Sequence, residues 1–253
     1  MSDSEHSLLG RTGFQNGGLY DSARPSYPDE AIGYFSAVLR LDQSMHVLDL
    51  GAGSGIFSRQ IRPFVGRVTA VEPSASMRES FRSANDDMEI LDGSDVSIPI
   101  DDESVDAVFV AQAFHWFDAP RALREIHRVL VSQGALGLIW NERDESVEWV
   151  SELSRAMQWD TRQPYEVGKD FTDAISAGPF TGVERAFFEH SQILSREGLL
   201  ERVLTTSYIS TMDEKERDHL MASVRRVADQ LDEPIAFPYV TTAYTARASL
   251  TPH

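Results

Sequence analysis

Residues 47–61 read VLDLGAGSGIFSRQI. An apolar run carrying one acid, Asp49, meets glycines at 51, 53 and 55, and a helix-like pattern follows at once. A buried strand, a tight turn and a helix in that order form the first βα unit of a doubly wound sheet. Glycine permits positive φ and lets backbone come close to a ligand. The turn is therefore expected to lie against a cofactor, beyond the carboxyl end of the strand.

The chain around this unit keeps the same rhythm. Strands are expected at MHVLDL, RVTAVE, MEILDG, VDAVFVAQA and GALGLIW. Helices are expected between them at SGIFSRQIRPF, SASMRESFRSA and APRALREIHRVL. Strands alternating with helices predict an α/β fold with a doubly wound, mostly parallel sheet. Upstream, Pro28 suits the first turn of a helix whose Ile32, Phe35, Val38 and Leu39 share a face. Beyond about 147 the pattern changes. VEWVSELSRAM reads as a helix and GVERAFFEHSQI as a strand. REGLLERVLTTSY and EKERDHLMASVRRVADQL read as helices, and FPYVTTAYTARASL as a last strand. The reading is one domain over 1–253, with an N-terminal arm or lid at 1–26 and a helical insertion at 192–233 that forms part of a substrate cover.

Composition narrows the function. The 253 residues are 42% hydrophobic and 25% charged, with a net charge of −17 and no cysteine. Such a surface repels phosphate backbones, so no nucleic-acid partner is expected. Without cysteine there is no disulfide framework and no thiolate chemistry. No basic segment leading into an apolar one opens the chain, and no apolar run reaches bilayer length; a cytoplasmic protein with no membrane partner is expected. The histidines are scattered without metal-ligand spacing, so no metal is expected. There is no G-x-S-x-G elbow to signal a hydrolase.

Two cofactor classes compete for the glycine turn. A dinucleotide fingerprint would place a third glycine at 56, where Ile stands. Glu72, ending the second strand, could accept the hydroxyls of any adenosine ribose. Asp49 separates the classes, because a carboxylate just ahead of the loop disfavours a pyrophosphate and favours a cofactor bearing an ammonium and a sulfonium.

VLDLGAGSG, AVEPS and IPIDDESVDAVFVAQAFHWFD together resemble the class I S-adenosylmethionine-dependent methyltransferases, and among them the small-molecule subgroup of trans-aconitate methyltransferases. The resemblance extends from ARPSYP to FPYVTTAYTARA. It implies a seven-stranded Rossmann-like sheet with an N-terminal helical cap and a helical insertion before the last strand. The cofactor is then S-adenosyl-L-methionine and the product S-adenosyl-L-homocysteine. By the same resemblance Gly51, Ala52 and Gly53 wrap the methionine part, with Asp49 organising the loop and the ammonium. Glu72 holds the ribose, and Pro73 and Met77 flank the adenine. Ser94 and Asp95 approach the adenine amine, Gln112 and Ala113 lie near the methionine moiety, and Tyr20 and Arg24 close over the cofactor. One departure stands out: the family often has Gly-x-Ala-Glu before its Leu-Pro step, where this chain has Gly93-Ser94-Asp95-Val96-Ser97-Ile98-Pro99.

Methyl transfer from a sulfonium is a direct displacement, so alignment of acceptor and methyl can supply much of the rate. A base is needed only when the acceptor must lose a proton of high pKa. His115, between Phe114 and Trp116 after the fourth strand, is the histidine placed for catalysis or for orienting the acceptor. Trp116 and Asn141, with Arg143 nearby in WNERD, are further acceptor contacts, and Asp118 is read as a helix cap. The expected partner is a small-molecule methyl acceptor that is polar or carboxylate-bearing, methylated on oxygen. A non-catalytic S-adenosylmethionine-binding module and a nicotinamide-dependent oxidoreductase are the competing readings.

Overall fold

The computed structural model describes residues 24–162 and 170–250. Its elements are α1 (Asp29–Leu39), β1 (His46–Leu50), α2 (Ile56–Ile61), β2 (Arg67–Val71), α3 (Ala75–Ala84), β3 (Glu89–Leu91), β4 (Val105–Ala111), α4 (Ala119–Val129) and β5 (Leu130–Arg143). There follow α5 (Glu148–Ala156), α6 (Trp159–Arg162), α7 (Thr172–Ser176), β6 (Phe180–Leu194), α8 (Arg196–Leu204), α9 (Ser207–Ser210), α10 (Glu214–Ala228) and β7 (Ile235–Ala248). The seven strands lie in the order β3-β2-β1-β4-β5-β7-β6. The β2–β3, β1–β2, β1–β4 and β4–β5 pairs are parallel. The order runs backwards from β1 to β3 and forwards from β1 to β5, so the switch point falls between β1 and β4, where open α/β sheets bind ligands. The glycine turn leaves β1 at that point.

The described chain divides into two compact units. The larger comprises 26–140, 170–188 and 241–250. Its core follows the two-residue period of the strands. Val47 of β1 and Ala107 and Phe109 of β4 pack with Ile32, Phe35 and Leu39 of α1 and Phe57 and Ile61 of α2. Their neighbours Leu48, Leu50, Val108 and Val110 turn the other way, onto Leu123, Ile126 and Val129 of α4 and Ile175 of α7. Each such large aliphatic side chain contributes about 1.5–3 kcal/mol on burial. The smaller unit comprises 24–25, 141–162 and 189–240. In it Val150 and Leu153 of α5, Leu199 and Val203 of α8 and Leu220 and Val224 of α10 surround Ile235, Phe237 and Tyr239 at the start of β7.

Three local expectations need correction. Val38 is 37% exposed, because the buried stripe of α1 is Ile32, Phe35 and Leu39 and Val38 lies past its edge. Pro28 is the extended residue capping α1, with φ −63° and ψ 143°, and lies just before the first helical turn. The helix after the glycines stops at Ile61 and passes into a 3₁₀ turn at Arg62–Phe64, since Pro63 has no N–H to continue the ladder.

Candidate active site

The site is built on the end of β1. Gly51, Gly53 and Gly55 all have positive φ, at 74°, 56° and 88°. Gly51 and Gly53 need glycine for different reasons. A Cβ on Gly51 would meet the Ala113 Cβ at 2.7 Å, so the turn is packed hard against the segment following β4. A Cβ on Gly53 would meet nothing within 4 Å. Past Gly53 there is room for a ligand to touch the backbone.

The loop's amides are turned inward. Gly51 N–H and Ala52 N–H both donate to the Val71 carbonyl, at 2.8 and 3.2 Å. Gly53 N–H donates to Glu72 Oε2 at 3.0 Å. Ser74 N–H donates to the other Glu72 oxygen, Oε1, at 2.9 Å. One carboxylate thus ties the glycine turn to the turn that starts α3. A phosphate-binding loop directs such amides at its anion; here all four are committed to the protein. Glu72 keeps free lone pairs on both oxygens, since an ionised carboxylate offers about four acceptor sites. Behind the turn, Asn85 Nδ2 donates to the carbonyls of Ser54 (3.2 Å) and Phe81 (2.7 Å).

Asp49 is the anomaly. Its side chain is 1% exposed and points toward α2, where Ser58 Oγ donates to Oδ2 at 2.5 Å. Oδ1 is buried and has no hydrogen-bond partner among the described residues. Burial pushes this carboxyl up to about 7; the Ser58 hydrogen bond opposes the rise and the Glu72 charge adds to it. Burial also raises Glu72, against its two amide bonds and the Arg78 charge. A buried polar atom left unpaired costs about 1–3 kcal/mol, so Oδ1 is a built place for a donor that the described residues do not provide. Uncommitted carboxylate oxygen, inward-turned amides and open space at Gly53 fit a cationic cofactor and do not fit a pyrophosphate.

The other sequence-derived positions fall as follows. Met77 is buried in the first turn of α3, which Ser74 caps by accepting from the Met77 amide; Pro73 is half-buried just before that cap. Ser94 closes a small turn with Ser97 through reciprocal backbone bonds of 3.1 and 3.2 Å. Asp95 Oδ2 accepts from the Asp118 amide at 3.1 Å, and burial raises its carboxyl despite that bond. Gln112 takes a positive φ of 55° directly after β4, held by its amide on the Ile139 carbonyl at 3.0 Å. His115 and Trp116 sit in a 3₁₀ turn, Phe114–Trp116. The His115 ring lies 4.7 Å from Trp116 and 5.4 Å from Trp140 between centroids. Asp118 caps α4, as its sequence position predicts, by accepting from the Arg121 amide at 3.2 Å. Asn141 and Arg24 belong to the smaller unit. Asn141 is buried there, and Arg24 Nη2 donates to the Thr205 carbonyl at 2.7 Å. In the same unit the Arg143 guanidinium lies 3.9 Å over the Trp159 ring and reaches Met157 Sδ at 3.0 Å. Tyr20, and the arm at 1–26 except its last three residues, lie outside the described residues.

Sequence reasoning missed Ser58, Ser74 and Gln60. Ser58 orients Asp49. Gln60 clamps the backbone of Tyr27 on both sides, accepting from its N–H at 2.9 Å and donating to its carbonyl at 2.7 Å. The available signal was a polar residue, Ser58, between the buried Phe57 and Ile61 of α2.

Among the described residues no helix is long and apolar enough to cross a membrane, and no group of three or more metal-ligating side chains is gathered. A family model described as a methyltransferase domain matches residues 48–138. An uncharacterized methyltransferase of Mycobacterium tuberculosis is 37% identical over 235 residues, covering 90% of this chain and 92% of that protein. A malonyl-[acyl-carrier protein] O-methyltransferase of Pectobacterium atrosepticum is 34% identical over 123 residues, 48% of this chain and 47% of that protein. The fold matches the solved YcgJ protein of Bacillus subtilis with a TM-score of 0.58 at 19% identity, covering 88% of this chain and 100% of that one. Nine-tenths of the chain is shared with its methyltransferase relative, and the glycine turn and both buried acids lie inside the matched domain: the chain belongs to the class I S-adenosylmethionine-dependent methyltransferases.

Proposed function

We propose that the protein transfers the methyl group of S-adenosyl-L-methionine to oxygen on a small, polar or carboxylate-bearing acceptor, in the manner of the trans-aconitate methyltransferases that the sequence resembles. The observation that carries the cofactor assignment is the buried, unpaired Oδ1 of Asp49 beside a loop whose amides are already committed. An ammonium donor satisfies that oxygen and neutralises the buried charge, whereas a pyrophosphate would meet two carboxylates and a turn whose Gly51, Ala52 and Gly53 amides already donate to the protein. The cofactor supplies an already activated methyl on a sulfonium. The chain's own residues bind and orient. Gly53 admits the ligand to the backbone, Glu72 accepts from the ribose hydroxyls with the lone pairs its amide bonds leave free, and Pro73 and Met77 form the apolar wall for the adenine, with Ser94 and Asp95 at its edge. Gln112 and Ala113 border the methionine end.

His115 and Trp116 bound the acceptor. A carboxylate acceptor arrives ionised and needs no base, so His115 orients it by hydrogen bonding and the rate comes from alignment. The O-methyltransferase relative supports oxygen as the acceptor atom. Neither a polyanion nor a membrane is the partner, in keeping with the net charge of −17. Titration calorimetry with S-adenosylmethionine, S-adenosylhomocysteine and NADH tests the assignment. The first two are expected to bind and NADH is not; NADH binding with no response to the other two overturns it.

A further inference from the structure

The strand β6 closes the sheet on one side, with β7 as its neighbour in the strand order. It is 15 residues long, and from Arg185 onward its odd-numbered residues, Arg185, Phe187, Glu189, Ser191 and Ile193, are all exposed. Phe187 is 57% and Ile193 64% exposed. A long edge strand with exposed apolar side chains is a template for further pairing unless something covers or blunts it.

The sequence of β6 is self-complementary. When two copies of a strand pair antiparallel about a two-fold axis perpendicular to the sheet, opposed residues share a face, so the axis must lie between the strands midway from one residue to its own copy. With the axis at Phe187, that ring stands opposite the partner's Phe187. Arg185 stands opposite the partner's Glu189, and Glu189 opposite the partner's Arg185. Moving the axis one residue either way sets Phe187 opposite the partner's Glu189 or opposite the partner's Arg185, and both ion pairs are lost. The side chains are already disposed for this register. The Arg185 guanidinium lies 4.8 Å over the Phe187 ring and donates to Asp170 Oδ2 at 2.5 Å and to the Tyr244 hydroxyl, two of the five N–H donors of its fork. Glu189 is exposed and makes no hydrogen bond or ion pair among the described residues.

We propose that a second copy of this chain docks on the outer edge of β6, the two β6 strands running antiparallel about a two-fold axis at Phe187. Cross-strand aromatic and opposite-charge pairs are the units that stabilise such an edge, and a two-fold interface repeats each of them. Against it stands the repulsion between two chains of net charge −17, so the ion pairs serve chiefly to set the register.

Sedimentation of the full chain at tens of micromolar tests this. The wild type is expected at twice the 28.3 kDa chain mass. Arg185→Glu and Glu189→Arg are each expected to give monomers, because each sets like charges opposite one another twice. The double variant Arg185→Glu/Glu189→Arg restores both pairs with reversed sense and is expected to regain the dimer. Circular dichroism and S-adenosylhomocysteine affinity matching the wild type show that the single variants are folded. A monomeric wild type, single variants that remain dimers, or a double variant that stays monomeric overturns the proposal.

Discussion

Replacing Gly51 and Gly53 by alanine, one at a time, separates the structural from the ligand-facing side of the glycine turn. In Gly51→Ala the new methyl lies 2.7 Å from the Ala113 Cβ, and the φ of 74° is one that L side chains rarely adopt. Ala113 cannot swing aside, because its Cβ is fixed to a backbone held between β4 and the 3₁₀ turn. Left-handed backbone costs about 1–2 kcal/mol for alanine, and overpacking of this kind about 1–3 kcal/mol. For a chain of this size about 1 kcal/mol moves Tm by roughly 2–4 °C, so Gly51→Ala should melt roughly 5–15 °C below the wild type. Gly53→Ala carries only the φ penalty, at 56°, with nothing within 4 Å of the methyl. The stiffer unfolded chain offsets about 0.4–1 kcal/mol in either variant, which leaves Gly53→Ala a fall in Tm of a few degrees. Its methyl would instead occupy the space where the ligand approaches, and S-adenosylhomocysteine affinity should fall about tenfold or more. Scanning calorimetry and titration calorimetry on the two variants give both numbers. Equal losses of Tm, or wild-type affinity in Gly53→Ala, would refute the reasoning.

The Asp49 carboxyl sets a pH dependence. Its folded pKa is about 7 against an ordinary 3.8, so the folded state holds a proton that the unfolded chain gives up. That stabilisation is complete below pH ~4, is lost as pH rises to ~7, and amounts to about 4 kcal/mol at about 1.4 kcal/mol per unit. Asp49→Asn should therefore flatten the fall in urea midpoint over that window and, at pH 7, be more stable than the wild type while binding S-adenosylmethionine poorly. Glu72→Ala strips the acceptor from the Gly53 and Ser74 amides, at about 1–3 kcal/mol for each amide left unsatisfied, and should lower both the urea midpoint and S-adenosylhomocysteine affinity, the latter about tenfold or more. His115→Ala should cut kcat/KM for the acceptor about tenfold or more while S-adenosylhomocysteine affinity, read by calorimetry, stays within about twofold.

Much of the larger unit was legible because its signals are local. The run from Val47 to Leu50, the three glycines, the Asp118 cap and the Leu123–Ile126 stripe each lie within a few residues, and each appears where the pattern places it. What was not legible depends on pairing across the fold. Glu72 is nineteen residues from the amide it accepts, and Ser58 nine from the acid it orients. Nothing in the spacing says that the loop's amides face inward, since that follows from the β1–β2 register that brings Leu50 beside Val71. The helices at Trp159–Arg162 and Thr172–Ser176 are too short to show a period. Asn141 follows Trp140 directly, yet the two fall in different compact units, a division that composition along the chain does not mark.

The most direct measurement is to incubate the protein with methyl-labelled S-adenosylmethionine and a whole-cell extract, then separate small molecules, protein and RNA. Label in a small, polar compound, released by mild alkali as expected of a methyl ester on a carboxylate, is the predicted result. Label confined to protein or RNA, or no transfer to any fraction, would contradict methyl transfer to a small acceptor.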